Sequence, residues 1–309
     1  MKKTSVAVLA LALSMVFGAV APAFAVKPTI TYGNADDMPY TQITGTLDGA
    51  AYIIQIPDTW NGMLVVACPW YQLPPNRNCH LQYQPLSEEL LAMGYAFACS
   101  NYGADGYPVQ KGMIRIHQLT EYVIDNYHVS GKVFVIGGSM GGNIALLLGE
   151  KYPNLYSGVL DMCGTKDCLD AYTGTAYFAT LTPEEISEML EISLSDAEGF
   201  LYFCASISHD FIVETGGTPE TKLKAYERIS PTYNAHIQIP VITIIGELDA
   251  TLPMFQNDMY QAAIDAAGCS DLYSQIIVPA AGHVDVDPRI FAEAIVQLPE
   301  LVAWSDSLD

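Results

Sequence analysis

The sequence predicts an α/β fold, a mostly parallel central sheet with helices on both faces and a helical cap insertion. Three observations predict it. Short apolar runs alternate with segments of helical periodicity along most of the 309 residues. One such run, Val133-Phe134-Val135-Ile136, feeds directly into the turn Gly137-Gly138-Ser139-Met140-Gly141, a strand-to-helix connection. Between about 165 and 238 the alternation stops, and the chain carries helical and aromatic segments with no β-α repeat.

Taken in order, Ala50–Ile56 and Met63–Ala67 read as strands joined by the turn-rich Pro57-Asp58-Thr59-Trp60-Asn61-Gly62. So short a linker holds no crossover helix, which makes the first strand an antiparallel edge. Leu86–Met93 reads as a helix, Tyr95–Ser100 as a strand, and Ile114–Tyr127 as a helix with Ile116, Leu119, Val123 and Tyr127 on one face. After the Val133–Ile136 strand, Met140, Ile144, Leu147 and Leu148 recur at helical spacing until Pro153 stops the helix. Tyr156–Met162, Val241–Ile245 and Tyr273–Val278 supply further strands, and Ile290–Val302 a closing helix. Within the cap, Thr182 with Glu185 three residues on marks a capping box for a helix over Pro183–Glu191.

The first 25 residues read as a secretory signal peptide: Lys2 and Lys3, an apolar run from Val6 to Val20, and the small-x-small ending Ala23-Phe24-Ala25. The run is too short and too interrupted for a spanning helix. Residues 26–309 are then one exported, extracytoplasmic domain, secreted or periplasmic, with no membrane attachment after cleavage. Thirteen basic residues against thirty-four acidic ones leave no basic surface for nucleic acid. Seven cysteines in an oxidising compartment permit disulfides, Cys163 and Cys168 being the best-placed pair, with free buried thiols the equal alternative. No Cys/His spacing suggests a zinc site, and no metal or organic cofactor is expected.

A serine on a tight glycine-flanked turn has its hydroxyl thrust above the sheet edge, and the next N–H, that of Met140, points where an oxyanion would develop. Serine is a weak nucleophile and needs an imidazole base, itself oriented by a carboxylate. Of six histidines, only His283 follows the last strand, in the turn Pro279-Ala280-Ala281-Gly282-His283. Asp249, in the turn after Val241–Ile245, is the preferred acid, with Glu247 its nearest rival and Asp161 and Asp285 less well placed. His209, in the cap, could line a pocket but falls in the wrong chain order for the base. Cap aromatics such as Tyr177 and Phe178, together with Tyr71, are candidate pocket residues.

From Trp60-Asn61-Gly62 through Gly94-Tyr95, the serine turn, Asp249 and His283, the chain resembles the α/β-hydrolase superfamily, specifically its secreted esterase, prolyl-oligopeptidase-like and feruloyl-esterase-like members. The resemblance implies acyl hydrolysis through an acyl-enzyme on Ser139, with Asp249 and His283 completing a triad. It implies a small ester or short peptide as substrate, esterase ahead of peptidase. A departure stands where relatives carry His-Gly: this chain has Cys68-Pro69-Trp70-Tyr71, and Pro69 has no N–H to give. Trp70 is the first oxyanion donor by position, or Tyr71 by a one-residue slip. A non-catalytic binding protein of the same fold is the reading this departure favours.

Overall fold

A computed structural model of the protein describes residues 28–35, 38–71, 79–285 and 287–308; the expected signal peptide lies outside them. The described strands are β1 (Thr29–Ala35), β2 (Met38–Leu47), β3 (Ala50–Pro57), β4 (Leu64–Cys68), β5 (Ala96–Ser100), β6 (Val133–Gly138), β7 (Gly158–Met162), β8 (Val241–Gly246) and β9 (Tyr273–Val278). They form one sheet in the order β1-β2-β3-β5-β4-β6-β7-β8-β9. From β5 to β9 every neighbouring pair is parallel, and β1, β2, β3 and β5 pair antiparallel.

The parallel strands β4 to β8 are buried along their whole length, which is why they read as unbroken apolar runs in the sequence. Helices α1 (Cys79–Ala92) and α9 (Pro288–Asp306) cover one face, α2 (Val109–Tyr127) and α3 (Met140–Lys151) the other, and α8 (Met254–Ala267) joins β8 to β9. Among the described residues no helix is long and apolar enough to cross a membrane.

Two expectations are corrected here. Nothing ahead of Ala50 was assigned to the sheet, yet β1 and β2 extend it, so β3 is an internal strand paired on both sides. The signal was weak because β1 is mostly exposed and β2 mostly half-buried, so neither shows a strong alternation of apolar with polar residues. The helices also begin earlier than read, α1 at Cys79 and α2 at Val109, where the first turns carry few periodic apolar residues.

Between β7 and β8 the chain leaves the sheet as α4 (Cys168–Phe178), α5 (Pro183–Leu190), α6 (Leu194–Thr215) and α7 (Pro219–Arg228). The Thr182/Glu185 capping box opens α5: Glu185 N–H donates to Thr182 Oγ1 at 3.2 Å, and Thr182 N–H to Glu185 Oε2 at 2.7 Å. Both ends of the excursion are tied to α3 by the fully buried Asn143, whose amide donates to Thr165 O at 3.0 Å and Ile229 O at 2.9 Å.

All seven cysteines are free thiols, so the Cys163–Cys168 bridge is not formed. The two sulfurs face different surroundings. Cys163 Sγ lies with Asp249 and His283, while Cys168 Sγ donates to Ile229 O at 3.3 Å beneath the cap.

Candidate active site

Gly137 and Gly141 make the serine turn possible. A Cβ on Gly137 would run into the Gly141 carbonyl, and one on Gly141 into the carbonyl of Cys68, at the end of the neighbouring strand. Helix α3 can therefore start directly against the sheet edge only if both positions are glycine. Between them Ser139 takes φ 53° and ψ −122°, a strained backbone held by its N–H donating to Met162 O at 2.9 Å and its carbonyl accepting from Asn143 N–H at 3.2 Å. The side chain is half-buried at the floor of a cleft.

The predicted acid and base meet. His283 Nδ1–H donates to Asp249 Oδ2 at 2.7 Å, and both residues are buried. Asp249 Oδ1 accepts the N–H groups of Thr251 and Leu252, each at 2.9 Å, so the same carboxylate caps its own turn and holds the imidazole. With Nδ1 carrying the proton, Nε2 is left as the acceptor. It is buried and has no hydrogen-bond partner among the described residues. Val284, the next residue, sits 3.2 Å from where a Cβ on Gly138 would be, which brings the histidine loop over the serine turn. Asp287 clips that loop from below: its Oδ2 accepts Gly282 N–H at 2.8 Å, and its own N–H donates to His283 O at 3.0 Å. Arg289 beside it holds the Asp287 carboxyl well below the usual carboxylate range.

The rival acids are occupied elsewhere. Glu247 accepts Ala280 N–H at 2.8 Å on the rim. Asp161 is fully buried and accepts from Lys166 Nζ at 2.5 Å and Thr243 Oγ1 at 3.0 Å. His209 is exposed on α6 and does not line the cleft.

The loop after β4 corrects one expectation. Trp70 N–H donates to Gln82 Oε1 at 3.1 Å, and Gln82 returns its amide to Trp70 O at 3.2 Å, so this N–H is not free for an oxyanion. Among the described residues no acceptor takes the N–H of Tyr71 or of Met140, which leaves those two as donors. Side chains that sequence reasoning missed hold the loop rigid. Tyr83 Oη donates to Cys68 O at 2.6 Å while accepting Gly138 N–H at 2.9 Å, and Tyr102 Oη donates to Pro69 O at 2.7 Å. Tyr71 Oη donates to Asp210 Oδ2 on α6 at 2.8 Å, tying the loop to the cap; burial raises the pKa of both groups.

The cleft beside Ser139 has a volume of about 230 Å³. Phe200, Phe203, Ile207 and Phe211 on α6 repeat at helical spacing and face it, joined by Phe178 from α4 and Tyr71 from the loop. Tyr177 does not belong. It is half-exposed and meets Phe178 edge-on at 5.6 Å, because adjacent residues on a helix point about 100° apart.

Cys163 completes the neighbourhood. At φ 52° it ends β7 with its sulfur within 4.8 Å of the Asp249 and His283 ligand atoms. That is a cysteine, carboxylate and histidine set of the kind that could hold a soft metal ion. Burial, and next the Asp249 charge, keep the thiol protonated, and the carboxylate and imidazole already bind each other, so the arrangement fits a triad better than a ligand set.

This geometry has relatives. The Esterase family model matches residues 83–192, which include the serine turn. The fold matches an esterase from Pyrococcus furiosus with a TM-score of 0.56 and 18% identity, over 90% of this chain and 92% of that one. It matches Est1E from Butyrivibrio proteoclasticus at 0.52 and 11%, over 89% and 99%. An acylaminoacyl peptidase from Pyrococcus horikoshii matches at 0.56 and 14%, over 90% of this chain and 41% of that one. The chain spans 36% to 41% of the length of the larger structures it matches. No curated protein sequence matches it. These likenesses show that the chain has the α/β-hydrolase fold.

Proposed function

We propose that the protein is a serine hydrolase that cleaves carboxylic esters through an acyl-enzyme on Ser139. The observation that carries this reading is the buried Asp249–His283 pair, whose Nε2 has no hydrogen-bond partner among the described residues, on a loop whose Val284 meets the serine turn at Gly138. His283 Nε2 takes the Ser139 proton as Oγ attacks the ester carbonyl, and Asp249 stabilises the imidazolium that forms. Met140 N–H, at the start of α3, and Tyr71 N–H receive the oxyanion, with the N-terminal end of the α3 dipole adding to them. The imidazolium then protonates the leaving alcohol, and water repeats the sequence to release the acid. Phe178, Phe203 and Phe211 favour an apolar or aromatic acyl group. The Ser139–His283 hydrogen bond is not made in the free protein, and the substrate would draw it together, as catalytic hydrogen bonds commonly tighten on binding.

A serine-directed fluorophosphonate should label the wild type and spare Ser139→Ala; equal labelling of both overturns the reading. Aryl esters set against short chromogenic peptides divide esterase from peptidase, and a protein inert to both yet stabilised by a ligand would be a binding protein. Export is part of the proposal, and an N-terminus other than Val26 on protein recovered outside the cytoplasm would count against it.

A further inference from the structure

A second cleft, of about 550 Å³, lies away from Ser139, between α2, the C-terminal end of α3, and the segment that returns from α7 to β8. Its apolar lining comes from Met113, Leu147 and Ile229, and its cationic lining from Lys151 and Arg228, beside the imidazole of His236. Those cations are unusual in a chain of formal net charge −21. Among the described residues, Arg115, Lys132, Lys166, Lys224 and Arg289 each hold a carboxylate at 2.9 Å or closer, and Lys111 donates to the Gly103 carbonyl at 2.6 Å. Lys111, Lys151, Lys222 and Arg228 hold no carboxylate at ion-pair distance, though the Arg228 charge reaches Glu214 and Lys151 lies over the Tyr152 ring, and two of these four line one cleft.

The carboxylates nearby are already engaged. Glu214, which feels the Arg228 charge, accepts Gln110 N–H at 2.7 Å, and Glu227 holds Lys224. Glu150, in the cleft wall, accepts from Tyr260 Oη through Oε1 at 3.1 Å, while its Oε2 is buried with no hydrogen-bond partner. Burial raises the Glu150 carboxyl well above the usual range. Cations without a carboxylate at ion-pair distance, set above an apolar floor, call for a ligand with a negative head and an apolar body. The acidic remainder of the surface does not cancel this field, because at physiological salt charges beyond about 8 Å are largely screened.

We propose that this cleft binds a small organic anion, a monocarboxylate carrying a short apolar chain, with Lys151 and Arg228 at the carboxylate and Met113, Leu147 and Ile229 along the chain. The site stands independently of the chemistry assigned to Ser139. Isothermal titration of the full mature protein with sodium octanoate tests it. Octanoate should bind at one site, and the exposed double substitution Lys151→Ala with Arg228→Ala should weaken binding tenfold or more while leaving the melting temperature and any ester hydrolysis unchanged. Octan-1-ol should bind at least tenfold more weakly than octanoate, and prior reaction of Ser139 with a fluorophosphonate should leave octanoate binding intact. The proposal is overturned if the double variant binds octanoate as the wild type does, if the fluorophosphonate abolishes binding, or if inorganic phosphate binds as tightly as octanoate.

Discussion

Helix α3 and the cap helices α4 and α5 bury themselves in opposite ways. Every residue of α3 from Met140 to Gly149 is buried, whereas α4 buries only Cys168 and α5 only Ile186. The serine turn is thus fixed by packing on every side. The cap is held by the buried face of α6, which includes Cys204, Ile207 and Phe211, and by a few anchors: Asn143 at its two ends, Lys166 at its entry and the Tyr71–Asp210 hydrogen bond across the cleft. Segments with few buried contacts open at lower free energy than the core. Under the proposed function the reacting groups therefore sit on the rigid part, and the aromatic side chains proposed to select the substrate sit on the cap.

Substitutions can break or sharpen that contrast. Asp249→Asn keeps the shape of the rigid part but presents the wrong hydrogen-bonding partner to His283 Nδ1, and turnover of an aryl ester should fall about 10⁴-fold. A loss under tenfold would mean that Asp249 does not orient the base. Gly141→Ala forces a methyl into the Cys68 carbonyl, and thermal or urea unfolding should show a loss of about 3 kcal/mol or more. Gly174→Ala on α4, where a Cβ meets nothing, should cost nothing or stabilise. If the two variants melted alike, the contrast between core and cap would fail.

Cap changes should act on selection. Phe203→Ala should lower kcat/KM for esters of bulky aromatic acids by about 1–3 kcal/mol while acetyl esters change little; equal losses on both would place Phe203 in structural support only. The smallest effect concerns the clip under the His283 loop. Arg289 depresses the Asp287 carboxyl in the folded state, so its stabilisation is complete above the unfolded value of about 3.9 and is lost as pH falls towards the folded value. Asp287→Asn should therefore lower the melting temperature by a constant amount above about pH 5, with the gap closing only below about pH 3.9. A gap that widened in acid would show the clip working differently.

The parallel strands and the Ser139, Asp249 and His283 set were legible because each is a local pattern: strands buried on both faces are apolar without interruption, and the serine turn needs its glycines at fixed offsets. The antiparallel extension β1–β2 was not, since a half-exposed strand leaves a weak trace. Nor could spacing show that Trp70 gives its N–H to Gln82, or that Cys163 and Cys168 turn to different neighbours. Those outcomes depend on which distant residue fills the adjoining space.

By itself the sequence determined the order of the parallel strands, the serine turn, and the turns that carry Asp249 and His283, because periodicity and glycine placement are properties of short segments. Only the tertiary structure decided which N–H groups remain free for an oxyanion, which cap aromatics face the cleft, and where cations without a carboxylate at ion-pair distance gather. Each of these is a competition among groups far apart in the chain, settled only once packing has brought them together.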